Sequence, residues 1–438
     1  MKKAFSLLVL CFFLPLGSIL LLAQKQHQDW ARIYAAELFH ITEVMVTDVA
    51  SPPVAARIYA YTNLAAYQVI SQSGGKFLKG EIPTLSLGEN QLKQSLPSPE
   101  FAAVYAMFLV GEKVMPSGYL LQEKQAAWEK WGLKNKLVSK KNLAEHLTFA
   151  KTVADQVLTL AKSDGYIQLT ALNRYTPREG EGFWYPTPPA YMAAVEPEWR
   201  TVKPFFLKNL EEFDPKPMAP FDLNAGSSFA KQLDEVYQYG LKLNEEEKLI
   251  ANFWDCNPFK VEFSGHMAIG VKKISPGGHW IGITGIAAQK QNLSFSETVY
   301  IHTLVGLTLH DAFISCWKAK YETNRIRPET VINEKLDPKW KPLLQTPPFP
   351  EYTSGHSVIS TASAEILTSY FGDNFKFVDS SEVYFGLPER EFNSFNQAAA
   401  EAAISRLYGG IHFRDAIDNG VDQGRAIGKF IWSKIEKL

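Results

Sequence analysis

The chain has 438 residues, 46% of them apolar or aromatic, which is enough to bury one large core or two closely packed ones. Its 45 Lys and Arg balance 46 Asp and Glu to a formal net charge of -1, so the chain as a whole has no basic field of the kind nucleic-acid binding needs. Any positive charge that matters has to be local.

Met1-Lys2-Lys3 is followed by an apolar run over residues 4–23 and then by polar Gln24-Lys25-Gln26. A short basic start, an apolar stretch and a small residue at its end predict a secretory signal removed near Ala23, placing the protein outside the cytoplasm. The alternative is an uncleaved anchor over residues 4–23, because the run approaches the roughly 20 residues that span a bilayer. Apolar residues then recur at helical period over 29–49, 53–72, 100–114, 141–163, 227–239, 244–254, 296–324, 357–370, 395–407 and 416–436. Alternating apolar and polar residues are rare, so the fold class is mainly α. The apolar stretches at 296–314 and 359–371 are interrupted by Ser, Thr, Glu, His and Asp, as in buried helices. Residues 170–224 have a different texture, rich in proline, glycine and aromatics. So long a connection is more than a linker, and Trp184 and Tyr185 are expected to anchor it to the core, the alternative being that they line the pocket entrance. The division expected is a leader over 1–23, an N-terminal helical region over 24–225 and a C-terminal catalytic region over 226–438. Cys256 and Cys316 have no metal-ligand spacing; an exported protein could pair them in a disulfide, while their apolar helical settings suit buried thiols at least as well.

Three strings near the C-terminus carry the chemistry. The first is Lys320, six residues, then Arg327-Pro328; the second is Ser354-Gly355-His356; the third is Ser405-Arg406, three residues, Gly410, one residue, His412. A tetrahedral oxyanion needs several fixed donors around its oxygens, and two guanidinium forks with one ammonium supply them. Ser354-Gly355-His356 follows a proline-rich loop and precedes a helical run. Its free N–H groups and the positive end of the helix therefore favour an anion. Gly409-Gly410 should end the preceding alanine-rich helix, letting Arg406 and His412 converge although six residues apart.

These strings resemble the three-part signature shared by vanadium-dependent haloperoxidases and phosphatidic acid phosphatases of type 2. Two elements depart from it. Thr353 stands where the signature has proline, and Ala416 stands where it has an aspartate, with Asp415 and Asp418 on either side. Asp415 is the nearer candidate to orient His412, as a carboxylate commonly does for such an imidazole. Trp317-Lys318-Ala319-Lys320-Tyr321 and Phe349 through His356 are further similar to vanadium chloroperoxidases, and Phe253-Trp254-Asp255 to a stretch with a supporting aspartate. The resemblance implies paired helical bundles with the oxyanion pocket at one end of the C-terminal bundle.

It also implies that Lys320, Arg327, Ser354, Gly355 and Arg406 bind the oxyanion, with His412 at its apex. Phe349 would lie beside the halide, and Asp255 would pair with Arg406. In a peroxidase, His412 would ligate vanadate, His356 would assist proton transfer, and the small-molecule substrates would be hydrogen peroxide and a halide. In a phosphatase the anion is phosphate, His412 is the nucleophile and His356 protonates the leaving alcohol of a phosphate ester. A non-catalytic oxyanion-binding protein is the third reading. An imidazole with an ordinary pKa of about 6.5 serves either reaction near neutrality. Membrane contact is expected only through residues 4–23 if uncleaved, and helical relatives often form oligomers.

Overall fold

The computed structural model describes residues 29–82, 95–264 and 267–435, so the expected leader lies outside the described residues. Thirteen α-helices make up most of the described chain: α1 (Trp30–Thr47), α2 (Pro52–Gln72), α3 (Pro99–Val114), α4 (Leu121–Lys134), α5 (Leu143–Lys162), α6 (Ser228–Lys242), α7 (Glu245–Phe253), α8 (Pro276–Lys290), α9 (Phe295–Thr323), α10 (Pro328–Lys335), α11 (Gly355–Phe371), α12 (Phe395–Tyr408) and α13 (Arg414–Ile435). Two small antiparallel hairpins complete it, β1 (Val261–Ser264) with β2 (Met267–Gly270) and β3 (Phe377–Asp379) with β4 (Arg390–Phe392). The expected mainly helical architecture is observed.

Helix starts follow capping chemistry. Ser51 caps α2 ahead of Pro52-Pro53, Ser294 caps α9, and Asn244 with Glu247 forms a capping box on α7. Three helices escape hydrophobic periodicity. Helix α8 opens Pro276-Gly277-Gly278 and carries two more glycines, α10 has only eight residues, and α4 buries little beyond Leu121, Gln125, Trp128 and Gly132.

Helices α2 and α9 pack together along their lengths and are buried almost throughout. Helix α9 is long and apolar enough to span a membrane, but its most apolar stretch is wholly buried inside the protein. Around this pair pack α3, α5, α8 and α11. The largest apolar cluster runs from Tyr34 to Ile435 and crosses the expected boundary at residue 225.

The connection over 170–224 is fastened as expected at Trp184. Its ring is buried, its backbone N–H donates to the Asn324 carbonyl at 2.8 Å, and Phe183 pairs with Arg325. Tyr185 is half exposed and donates to Glu334. These contacts fix the turn between Lys320 and Arg327.

Helix α13 approaches α11 through Gly420, Gly424 and Gly428, one per turn on a single face. A Cβ at Gly424 would stand 2.2 Å from the Val358 carbonyl oxygen. Alanine normally gains about 1 kcal/mol over glycine in a helix, yet this clash is with backbone and has to move a whole helix. Gly424→Ala is therefore expected to destabilise the protein by about 1–3 kcal/mol, read as a lower denaturation midpoint; an unchanged or raised midpoint would show that the helices have room to part.

Candidate active site

Four elements bring the signature side chains to one place. Lys320 lies in the last turn of α9, which Asn324 ends in the left-handed conformation (φ 56°), and Arg327 caps α10 ahead of Pro328. Ser354 is the N-cap of α11, its hydroxyl accepting from the Ser357 N–H, so Gly355 and His356 open the helix where N–H groups lack intrahelical partners. Arg406 occupies the last turn of α12. Gly410, at φ 74°, then reverses the chain so that His412 turns back toward it. Trp340 and Pro342 crowd Gly410, leaving little space for a side chain there.

The side chains meet at a small cavity lined by Phe349, Gly355, His356, Arg406 and His412, with Phe313 and Trp317 on its apolar wall. Lys320 and Arg327 are fully buried just behind it, and the Phe349 ring lies 5.1 Å from both cations. Arg327 donates from Nε to the Phe349 carbonyl and from Nη1 to the Ile411 carbonyl, while Arg406 Nε donates to Ser405 Oγ. Nη2 of Arg327 and Nη2 of Arg406 are buried without a protein partner. Two charged donors left unsatisfied beside a helix N-terminus are what an oxyanion would complete.

Lys320 behaves differently. Its Nζ donates to the carbonyls of Pro350, Glu351 and Thr353, so its protons hold the loop before α11 and its contribution to the cavity is charge. Burial pushes its pKa down to about 7. Three carbonyl acceptors nevertheless favour the full ammonium, because a neutral amine has only two N–H bonds to give.

The tautomer of His412 follows from its neighbours. Arg327 Nη1 lies 3.2 Å from His412 Nε2, and a guanidinium can only donate, so Nε2 carries a lone pair. The proton is then on Nδ1, which donates to Glu351 Oε1 at 2.9 Å. Glu351 was not singled out in the sequence. It also accepts the Phe413 N–H at 2.9 Å and faces Arg325 at 3.4 Å. Burial raises its pKa to about 7, against the pull of Arg325 and Arg327, and the two N–H donors on Oε1 favour the carboxylate.

Asp415 does not take the place expected for it. It pairs with Arg325 Nη1 and accepts the Ala219 N–H, so it reaches His412 only through Arg325 and Glu351. The reason is the direction of α13, whose first turn carries Asp415 behind the loop. Asp418 is exposed further along the same helix. Asp255 lines the cavity but bonds Lys273 at 2.8 Å and lies 3.4 Å from Lys260, so it acts on Arg406 through space and not by the direct pairing expected.

The two imidazoles are not in ordinary surroundings either. Burial, then the positive charge of Arg327, Lys320 and Arg406, holds His412 well below the usual range. Burial and Arg406 do the same to His356, whose two ring nitrogens both lie 3.3 Å from Arg406 Nη1, so the guanidinium lies over the ring. These neighbours favour the neutral form of both, and an anion among them would pull both back up.

Residues 300–438 match the family described as the VCPO second helical-bundle domain. Over its length the chain is similar to a solved structure described as the first bacterial vanadium-dependent iodoperoxidase, with 41% identity, a TM-score of 0.80, and coverage of 91% of this chain and 95% of that one. Holo and apo structures of a bacterial vanadium-dependent chloroperoxidase align at TM-scores of 0.65 and 0.64, covering 89% and 88% of this chain and 93% and 94% of theirs. Their identities of 17% and 16% indicate a shared fold alone. No curated protein matches the sequence.

Proposed function

From the premise that this chain belongs to the vanadium-dependent haloperoxidases, we propose that it oxidises iodide with hydrogen peroxide at a vanadate held by His412. The family makes the chain an enzyme of the haloperoxidase type; iodide is the halide named for the relative that shares 41% of its residues. The observation that carries the reading is the fixed His412 tautomer. Glu351 takes the Nδ1 proton and leaves the Nε2 lone pair among two guanidiniums with unpartnered Nη2 groups. The donor set suits vanadate, an oxygen-rich anion that accepts a nitrogen ligand and, when bound, activates peroxide as a Lewis acid.

The chain's own residues do the rest. Arg327, Arg406 and the α11 N-terminus would hold the anion's oxygens, and Lys320 would add charge from behind. His356, neutral and open to the cavity, would accept a proton from incoming peroxide on a ring nitrogen and hold it for return. Phe313, Trp317 and Phe349 form a wall that would exclude water around a large, weakly hydrated halide. The apolar run over residues 4–23 supports export of the protein.

The test is iodide oxidation by the purified protein with orthovanadate and hydrogen peroxide. Activity is expected to require vanadate, to be suppressed by phosphate, and to fall to background in His412→Ala. Hydrolysis of a phosphate ester without halide oxidation would overturn the reading in favour of a phosphatase.

A further inference from the structure

We propose that Cys256, His279 and Glu382 form a zinc site next to the oxyanion cavity. Three separate segments supply them. Cys256 follows α7, His279 lies in the first turn of α8, and Glu382 sits in the turn after β3. All three are buried.

Their ligand atoms face one another. Cys256 Sγ is 3.3 Å from His279 Nδ1, His279 Nδ1 is 3.2 Å from Glu382 Oε1, and Cys256 Sγ is 3.9 Å from Glu382 Oε1. A tetrahedral zinc with bonds of about 2.3 Å to sulfur and about 2.0 Å to nitrogen and oxygen needs edges of about 3.3–3.6 Å. The triangle differs from that by a few tenths of an ångström, and three protein ligands leave a fourth position open. A thiolate and a carboxylate together neutralise a divalent cation, which a buried site requires. Thiolate with imidazole favours zinc over calcium or magnesium.

The surroundings fit a held ligand. His279 Nε2 lies 2.7 Å from Asp379 Oδ2, the carboxylate contact that commonly fixes a metal-bound imidazole. The Trp254 ring stacks on His279 at 4.4 Å and an interplanar angle of 18°. Trp254, Asp255 and Cys256 are consecutive, and Asp255 and Cys256 line the cavity beside His356. Zinc would pin this edge of the active site, in a positioning role.

Binding can be measured without turnover, so it stands or falls apart from the proposed halide chemistry. The full chain is stripped with a chelator and titrated with Zn²⁺ or Co²⁺. One equivalent should bind, and the Co²⁺ form should show thiolate-to-metal charge-transfer absorption that survives Cys316→Ser and is lost in Cys256→Ala. Glu382→Gln and Asp379→Asn, each checked for native circular dichroism, should weaken Zn²⁺ binding by about 10–100-fold. No stoichiometric uptake by the folded protein, or the same absorption in Cys256→Ala, would overturn the proposal. His279 would then be a protonated imidazole shared by two carboxylates.

Discussion

Glu351→Gln is expected to weaken vanadate binding and iodide oxidation by about 10–100-fold, the range seen when the partner of a metal-bound imidazole is lost. Glutamine keeps the volume and can still present a carbonyl to His412 Nδ1, but it removes the charge that holds the imidazole's proton on that side. Asp415→Asn is expected to cost the reaction much less, because Asp415 touches Arg325 and not His412. Its effect should show in stability. Arg325 is 2% exposed, and removing one partner of a buried pair leaves charge uncompensated. Vanadate titrations and denaturation curves on the two variants separate these roles. Equal losses of vanadate affinity would return Asp415 to the place that its position near the signature's aspartate suggested.

The second large effect concerns Arg406. Arg406→Met removes a charged donor with a free Nη2, and hydrogen bonds to charged groups contribute about 1.5–3 kcal/mol each. Losing one such bond weakens binding by a factor of about 10–150, and losing the charge adds to it. The pH dependence should move as well. Arg406 depresses the His356 pKa, so its removal raises that pKa and keeps the imidazole protonated to higher pH. If neutral His356 accepts the peroxide proton, the acid limb of the rate moves to higher pH in Arg406→Met. Binding lost with no movement of that limb would confine Arg406 to holding the anion.

Much of this site was legible because its signature fixes residue types at short spacings. Lys320 with Arg327, the Ser354-Gly355-His356 helix start and the Arg406-to-His412 turn each needed only local geometry, and helix caps and the Gly409-Gly410 break place them correctly. What escaped depends on contacts between distant segments. Glu351 stands five residues before His356 in a proline-rich loop, where nothing in the sequence says that its carboxylate meets an imidazole 61 residues later. The nearby Asp415 drew the assignment by proximity along the chain. Arg325, between the two cations of the first string, is legible only once Glu351 and Asp415 are seen on either side of it. Helix α8 escaped for another reason: its glycines weaken helical propensity but let it pack closely against its neighbours. The Cys256, His279 and Glu382 cluster has no spacing signature because three separate segments build it.

The direct test of the central claim is calorimetric titration of orthovanadate into the wild-type protein and into His412→Ala. If His412 Nε2 is what holds vanadate in a cavity of fixed cations, the wild type binds one vanadate per chain and the variant loses most of that affinity. Equal affinity in the two proteins would contradict it.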